Sequence, residues 1–157
     1  MRAVGGGRRG RGELGIGDRI SAPQDEATRP PSDRAREAIF NMLFSMGMPQ
    51  GCRVADLFSG SGALGVEALS RGATDVTFVD NNSNACKVIK ANLDSLDLHA
   101  EVIQGDAVKR LELVEVDLVF ADPPYVFDDW PNLLAAAGNA CVVAESDAEI
   151  GPFEGWE

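Results

Sequence analysis

Cysteine, histidine and aromatic residues are scarce in this chain. Cys52, Cys86 and Cys141 are scattered without a CxxC pair, and His99 is the sole histidine, so no zinc quartet can be assembled and no metal is expected. The same spacing gives no disulfide framework and points to a reducing compartment. Aromatics make up 6% of residues against 45% hydrophobic overall, which suits an aliphatic α/β core better than an all-β barrel. No apolar run approaches the ~20 residues that span a bilayer, and the start lacks the apolar core of a secretion signal. A soluble, cytoplasmic protein without membrane association is therefore expected. At 157 residues the chain has room for one domain with a real core and is short for two. No internal repeat is visible.

Positive charge is also short, and unevenly placed. The net charge is −11, yet residues 1–36 hold eight Arg against five acids, while residues 37–157 hold six basic residues against twenty acids. Phosphate contacts need Lys and Arg, so a polyanion partner would have to be met by the basic start. The acidic body is most simply a solvated surface that maintains solubility.

Seven glycines between Gly5 and Gly17, followed by Pro23, Pro30 and Pro31, leave no room for a long element in residues 1–31. At most a hairpin from Arg2-Ala-Val and Glu13-Leu-Gly-Ile fits there. Ser32 is a suitable N-cap for a helix through Phe44, with Ala35, Ile39, Phe40, Leu43 and Phe44 as its apolar face and Gly47 and Pro49 ending it. From Arg53 the pattern alternates. Strands are expected at 53–58, 75–79, 101–103, 116–121 and 140–145. Helices are expected at 63–71, with Gly72 at the C-cap, along the stripe Ala85, Val88, Ile89, Leu93 and Leu96, and at 107–112 and 133–137. Such alternation predicts an α/β fold: a doubly wound, mostly parallel sheet with helices on both faces.

Gly60-x-Gly62-x-x-Gly65 follows the first of these strands. Alone it fits NAD, FAD, S-adenosylmethionine or a structural turn. The glycines allow a tight turn and close backbone approach, and the next helix offers unpaired N–H groups. Asp80, twenty residues past Gly60 at the end of the next strand, is placed to accept from ribose hydroxyls. Asp56 precedes the loop, where it would repel a pyrophosphate but suit the ammonium of a methionine moiety. S-adenosylmethionine is thereby favoured. Phe58, Gly60, Gly62, Gly65, Asp80, Asn81, Asp106 and Ala107 complete the candidate cofactor residues. Asp106 either accepts from an adenine amine or caps a helix.

Asp122-Pro123-Pro124-Tyr125 closes the apolar run that begins at Val116. Two consecutive prolines stiffen the turn and remove two N–H groups, leaving local carbonyls as acceptors. If the Asp122 carboxylate and the Pro123 carbonyl each accept one hydrogen of a conjugated amine, its nitrogen is drawn toward tetrahedral geometry. Its lone pair can then reach a sulfonium methyl, so that catalysis is largely orientation. Tyr125 offers a face for base stacking, and a base held in a helix would have to flip to reach it. The bland alternative is a Pro-Pro turn beside an incidental Tyr.

With both motifs in place, the chain resembles the bacterial guanine-N2 methyltransferases of 16S ribosomal RNA. The match includes Val4-Gly-Gly-Gly-Arg-Arg-Gly-Arg11, Arg29-Pro-Pro-Ser-Asp33-Arg34-Ala-Arg-Glu37-Ala-Ile-Phe40-Asn41 and Gly60 through Gly72, and runs from Met1 to about Glu145. The resemblance implies a Rossmann-like methyltransferase fold, S-adenosylmethionine as methyl donor and a guanine of the small ribosomal subunit, or of its assembly intermediate, as acceptor. It implies an RNA-engaging extension at residues 1–31, with Arg2, Arg8, Arg9, Arg11, Arg29 and Arg34 as candidate phosphate contacts, and a methyltransferase domain at residues 32–157. A monomer is expected. Family members usually continue into a further strand pair with an Arg-Tyr-Gly-Asp-like segment, so the sheet is expected to lack its last antiparallel strands. Asp80 stands where the family commonly has Glu. The alternatives are an adenine-N6 or protein-glutamine methyltransferase with the same turn, or a truncated, non-catalytic RNA-binding relative. Deleting residues 1–12 is expected to lower RNA affinity and flatten its salt dependence; an unchanged slope in binding titrations would mean that these arginines touch no phosphate.

Overall fold

The structure, a computed structural model, describes residues 3–5, 33–146, 149–151 and 153. Among the described residues six strands form one sheet: β1 (Ala3–Gly5), β2 (Arg53–Leu57), β3 (Asp75–Asp80), β4 (Glu101–Gln104), β5 (Leu118–Ala121) and β6 (Cys141–Ala144). Their order is β1-β6-β5-β2-β3-β4, and each of these pairings is parallel. The helices that connect or flank them are α1 (Asp33–Ser45), α2 (Ala63–Ser70), α3 (Ser83–Ser95), α4 (Ala107–Leu111) and α5 (Trp130–Ala137).

A parallel sheet buried on both faces needs apolar residues at successive strand positions, and β5 and β6 are buried throughout. Alternate residues feed two cores. Val54, Phe78, Phe120 and Val143 pack with Phe40 and Leu43 of α1, Val66 of α2 and Ile89 and Leu93 of α3. Ala55, Leu57, Val79, Val119 and Val142 pack on the opposite side with Leu111 of α4 and Leu133, Leu134 and Ala137 of α5. Helices on both faces make the sheet doubly wound, as the alternation of elements predicts.

From β2 the chain moves outward through β3 and β4, then returns to lay β5 and β6 on the other side of β2. The sheet's direction of growth therefore reverses between β2 and β5, and the crevice at their carboxyl ends is where such folds bind ligands. At the amino ends Arg53 clamps this pair. Its backbone N–H and guanidinium donate to Asp117 at 2.8 and 3.1 Å, and its Nη1 donates to Glu115 at 2.8 Å. These bonds hold the Asp117 carboxyl below the usual carboxylate range.

One expectation changes, and two fall partly or wholly outside the described residues. Ala3–Gly5 is a strand, but its described partner is β6, in parallel, because β6 offers an open edge; Glu13-Leu-Gly-Ile lies outside the described residues, as does the proposed cap Ser32. In α1, Phe40 and Leu43 are buried, whereas Ala35 is exposed and Phe44 is 79% exposed. The inward face is instead centred on Arg36, Ile39, Phe40 and Leu43. Arg36 bonds Asp33 at 2.9 Å and approaches Glu67 of α2 at 3.8 Å, and Glu67 also pairs with Arg71 at 2.7 Å. The Arg71 guanidinium lies 4.8 Å from the centre of the Phe40 ring. Part of the Arg-Pro-x-x-Asp-Arg-x-Arg-Glu segment thus docks α1 onto α2. Because Ala3–Gly5 belongs to the sheet, replacing Arg8, Arg9 and Arg11 by Gln tests phosphate binding without removing an edge strand. The slope of log affinity against log salt should flatten by about one unit for each phosphate that is no longer neutralised.

Candidate active site

Asp56, the fourth residue of β2, is 3% exposed, and its Oδ2 accepts the Gly65 N–H at 2.9 Å. Gly62 is the N-cap of α2 and has no side chain to satisfy the helix's orphan N–H groups. Asp56 supplies that acceptor from the neighbouring strand. The arrangement leaves no room at Gly65: an added Cβ would lie 2.3 Å from Cε1 of Phe78, 2.7 Å from its Cζ and 2.9 Å from Asp56 Oδ2. At Gly62, φ is +78° and a Cβ would sit 3.1 Å from the same ring. The third glycine of the motif is thus required by helix-to-strand packing over Phe78.

Burial pushes the Asp56 pKa up to about 8, against the lowering effect of the Gly65 hydrogen bond, and the nearby Asp122 and Asp80 raise it further. Asp122 and Asp80 are therefore close enough to oppose the ionisation of Asp56.

Asp80 ends β3, almost fully buried. Its Oδ2 accepts the Gly60 N–H at 3.0 Å and its Oδ1 the Asn82 N–H at 2.8 Å. It shapes the glycine loop as well as facing the crevice's end of the sheet. Asn81 is exposed, and its carbonyl accepts from Gln104 at 3.4 Å. Asp106 is exposed and caps α4, accepting the Lys109 N–H at 2.9 Å, so the capping alternative is the one observed; Ala107 is the buried first residue of that helix. Phe58 adopts φ +55°, unusual for a bulky residue. Its ring packs edge-on against Phe127 at 5.1 Å, and Phe127 packs on Trp130 at 5.2 Å. This row of rings ties the loop after β2 to the loop after β5.

The Asp122-Pro123-Pro124-Tyr125 turn follows β5 directly, with Phe127 N–H closing onto the Pro124 carbonyl at 2.9 Å. Tyr125 is 66% exposed and Val126 88% exposed at its tip. A cavity of about 280 Å³ lies against the turn, lined by Asp122, Pro123, Pro124, Tyr125, Phe127 and Trp130 and by Asp128, Glu145, Ser146 and Glu149. Of the candidate RNA contacts, Arg34 is exposed on α1, and Arg2, Arg8, Arg9, Arg11 and Arg29 lie outside the described residues. Among the described residues no cluster of His, Cys, Asp or Glu could hold a metal ion, and no helix is long and apolar enough to cross a membrane.

Several supporting residues belong to neither motif. The Ser59 hydroxyl bonds the Asp56 carbonyl and receives the Val79 N–H at 3.0 Å, bridging β2 and β3 past their ladder. Buried Asn92 of α3 donates to the Ser61 carbonyl at 3.0 Å and so braces the glycine loop. A polar residue inside the stripe Ala85, Ile89, Leu93 was its only signal. Asn82 caps α3. Glu145 follows β6 as Asp122 follows β5, a repetition visible in sequence once the strands are aligned.

The parallel doubly wound sheet, with a glycine loop and an Asp-Pro-Pro-Tyr turn at adjacent strand ends, defines a Rossmann-like S-adenosylmethionine-dependent methyltransferase. More particularly, the chain belongs to the family described as Conserved hypothetical protein 95, whose model matches residues 1–150. It is 36% identical to YlbH of Bacillus subtilis (strain 168) over 96% of this chain and 84% of that protein. It is 33% identical to Ribosomal RNA small subunit methyltransferase D of Escherichia coli (strain K12), over 96% of this chain and 77% of that one. Among solved structures, yhhF of Escherichia coli superposes with a TM-score of 0.73 at 28% identity, covering 88% of this chain and 81% of the other.

Gly65→Ala is expected to cost about 1–3 kcal/mol in urea unfolding through overpacking against Phe78, and Phe78→Leu in the same chain should recover part of it. Independent, additive losses would show that the two do not meet. The Asp56 proton gives a second test. Its folded pKa of about 8 lies above the ordinary 3.8, so its contribution to stability is complete below 3.8 and is lost as pH rises toward 8. Asp56→Asn should remove that slope from stability measured between pH 4 and 8.

Proposed function

We propose that this protein transfers a methyl group from S-adenosylmethionine to the exocyclic N2 amine of a guanine in 16S rRNA. It would act on the small ribosomal subunit or its assembly intermediate, as a cytoplasmic monomer. Residues 1–31 would engage RNA and residues 32–157 perform transfer. The observation that carries this reading is the adjacency of β2 and β5, which sets the glycine loop beside the Asp-Pro-Pro-Tyr turn at the point where the sheet reverses its growth. Membership of the family and the small-subunit rRNA named for the Escherichia coli relative support the choice of substrate.

The donor set suits S-adenosylmethionine. Asp56 would face the ammonium of its methionine moiety, and an adjacent cation would restore the ionisation that burial suppresses. Asp80 would accept from ribose hydroxyls with the lone pairs not used by Gly60 and Asn82. The backbone around Gly60 and Gly62, the Phe58 ring, Asn81 and Ala107 would complete the cradle, and Asp106 would reach the adenine amine while keeping its helix cap. When bound, the donor supplies an electrophilic methyl on sulfonium sulfur.

The turn supplies orientation. Asp122 and the Pro123 carbonyl each accept one hydrogen of the guanine amine, which frees its lone pair from conjugation with the ring. Pro123 and Pro124 keep these acceptors in place, and Tyr125 stacks on the flipped base, a contact worth about 1–3 kcal/mol. As positive charge develops on nitrogen, Asp122 stabilises it and takes the departing proton. Arg2, Arg8, Arg9, Arg11, Arg29 and Arg34 would hold phosphates outside the pocket.

Undermethylated small subunits incubated with methyl-labelled S-adenosylmethionine should yield label in N2-methylguanosine after digestion. Asp122→Ala should bind the donor with unchanged affinity and lose transfer by about 10²–10³-fold, the scale for removing one group that stabilises developing charge. Asp80→Ala should weaken donor binding, partly by releasing Gly60. Near-normal turnover by Asp122→Ala would disprove the orientation mechanism.

A further inference from the structure

One wall of the cavity beside the Asp-Pro-Pro-Tyr turn is formed by the residues that follow β6. Ala121 pairs with Ala144, and the Glu145 N–H donates to the Ala121 carbonyl at 2.9 Å, so the ladder register continues one residue past both strands. Asp122 and Glu145 are therefore neighbours across strands that lie ~4.8 Å apart. Both line the cavity, with Pro123, Tyr125 and Trp130. β5 has β2 on one side and β6 on the other, so the order along this edge of the sheet is glycine loop, Asp122, Glu145. Asp128 and Glu149 also line the cavity but are exposed, whereas Glu145 is half-buried and its backbone is held by the sheet.

A base that presents its amine to Asp122 and Pro123 brings the ring atoms next to that amine within reach of the adjoining strand end, where Glu145 lines the same cavity. In guanine the ring atom on one side of the N2 amine is N1–H, a donor. In adenine the corresponding neighbour of the N6 amine is N1, an acceptor. A carboxylate presents only acceptors. Placed against that edge it completes a hydrogen bond with guanine and sets lone pair against lone pair with adenine. Sites built to bond a substrate N–H or O–H reject analogues lacking it strongly, because the site's own polar group is then buried unpaired.

We propose that Glu145 is the specificity-determining residue, accepting the guanine N1–H while Asp122 and Pro123 hold the two amine hydrogens. The proposal rests on the guanine-N2 reading of this site and adds the means by which guanine is told from adenine. Glu145 takes no part in the bond-making step and transfers no proton.

Glu145→Gln keeps side-chain volume and adds a donor where only acceptors stood. Assayed on undermethylated small subunits, it should form N2-methylguanosine with a kcat/KM lower by about 10–100-fold, the loss typical of a hydrogen bond to a charged group. Its affinity for S-adenosylmethionine, measured by calorimetry, should stay at the wild-type value. Once the labelled position is mapped, particles reconstituted with adenine there should be refused by wild type. The preference for guanine over adenine, as a ratio of kcat/KM, should narrow by about tenfold or more in Glu145→Gln. Glu145→Ala, which removes the acceptor and supplies no donor, should lower guanine kcat/KM by at least as much and narrow the same ratio. Retention of guanine kcat/KM within about threefold by both variants would overturn the proposal, as would loss of donor binding in both, which would make Glu145 a residue of the fold. Wild-type labelling of adenine instead of guanine would overturn the parent reading with it, whereas wild-type N2-methylguanosine with insensitive variants would overturn this inference alone.

Discussion

The burial of one carboxyl group, Asp56, beneath the start of α2 is the constraint on which the site depends. A carboxyl taken out of water must find donors or keep its proton. Here it receives one backbone bond from Gly65 and is raised to a pKa of about 8. That bond is possible only because position 65 has no Cβ and the Phe78 ring can lie directly under the helix. The loop between Gly60 and Gly65 is consequently framed by strand, ring and carboxyl before any ligand contributes. Asp80 and Asn92 extend the frame from β3 and α3 by bonding Gly60 and Ser61. Charge placed beside Asp56 would find a group whose ionisation is costly in its absence, which couples occupancy by a cation to proton release.

Asp122 belongs to the same electrostatic unit although it lies 66 residues further along the chain. The parallel pairing of β2 with β5 brings it there, and Arg53 and Asp117 secure that pairing at the other end of the strands. At the carboxyl end the contact is aromatic. Phe58 accepts a left-handed backbone conformation, and its ring meets Phe127, which meets Trp130. Strain at Phe58 of the order of 1–3 kcal/mol is offset by joining two loops that must move as one for an amine to stay aligned with a methyl donor.

Much of this was legible in the residues. Alternating apolar runs and glycine-bounded turns located β2 to β6 and α2 to α5 to within a few positions, because a parallel sheet covered on both faces leaves long, uniformly apolar strands. The two motifs marked the crevice, since each follows a strand directly. The partners that hold these motifs were less visible. Phe78 and Asn92 look like ordinary members of a strand and a helix stripe, and their meaning appears only when the sheet brings them under the loop. Phe44 fits the helical period of α1 yet faces outward, because the helix turns Phe40 and Leu43 fully into the core and position 44 falls beyond the edge of that face. Periodicity reports that a face exists; which of two overlapping stripes is buried depends on the fit of the side chains to the sheet. The pairing of β1 with the edge of β6 was illegible for another reason, as three residues among glycines carry no period at all.

The acidic body and an RNA substrate are compatible once the pocket is considered apart from the approach to it. Asp122, Asp128, Glu145 and Glu149 around one cavity raise the cost of admitting a phosphate and leave intact the attraction for the donor edge of a base. Such a pocket would exclude the backbone by charge and admit the base by hydrogen bonding. Affinity for the polyanion must then come from elsewhere, and the eight arginines of residues 1–36 are the concentration of positive charge available for it. Binding and selection would thereby be separated: the basic segment would supply salt-dependent attraction without regard to base, and the acidic cavity would supply discrimination that salt screens less where its groups, Asp122 and Glu145, are half-buried.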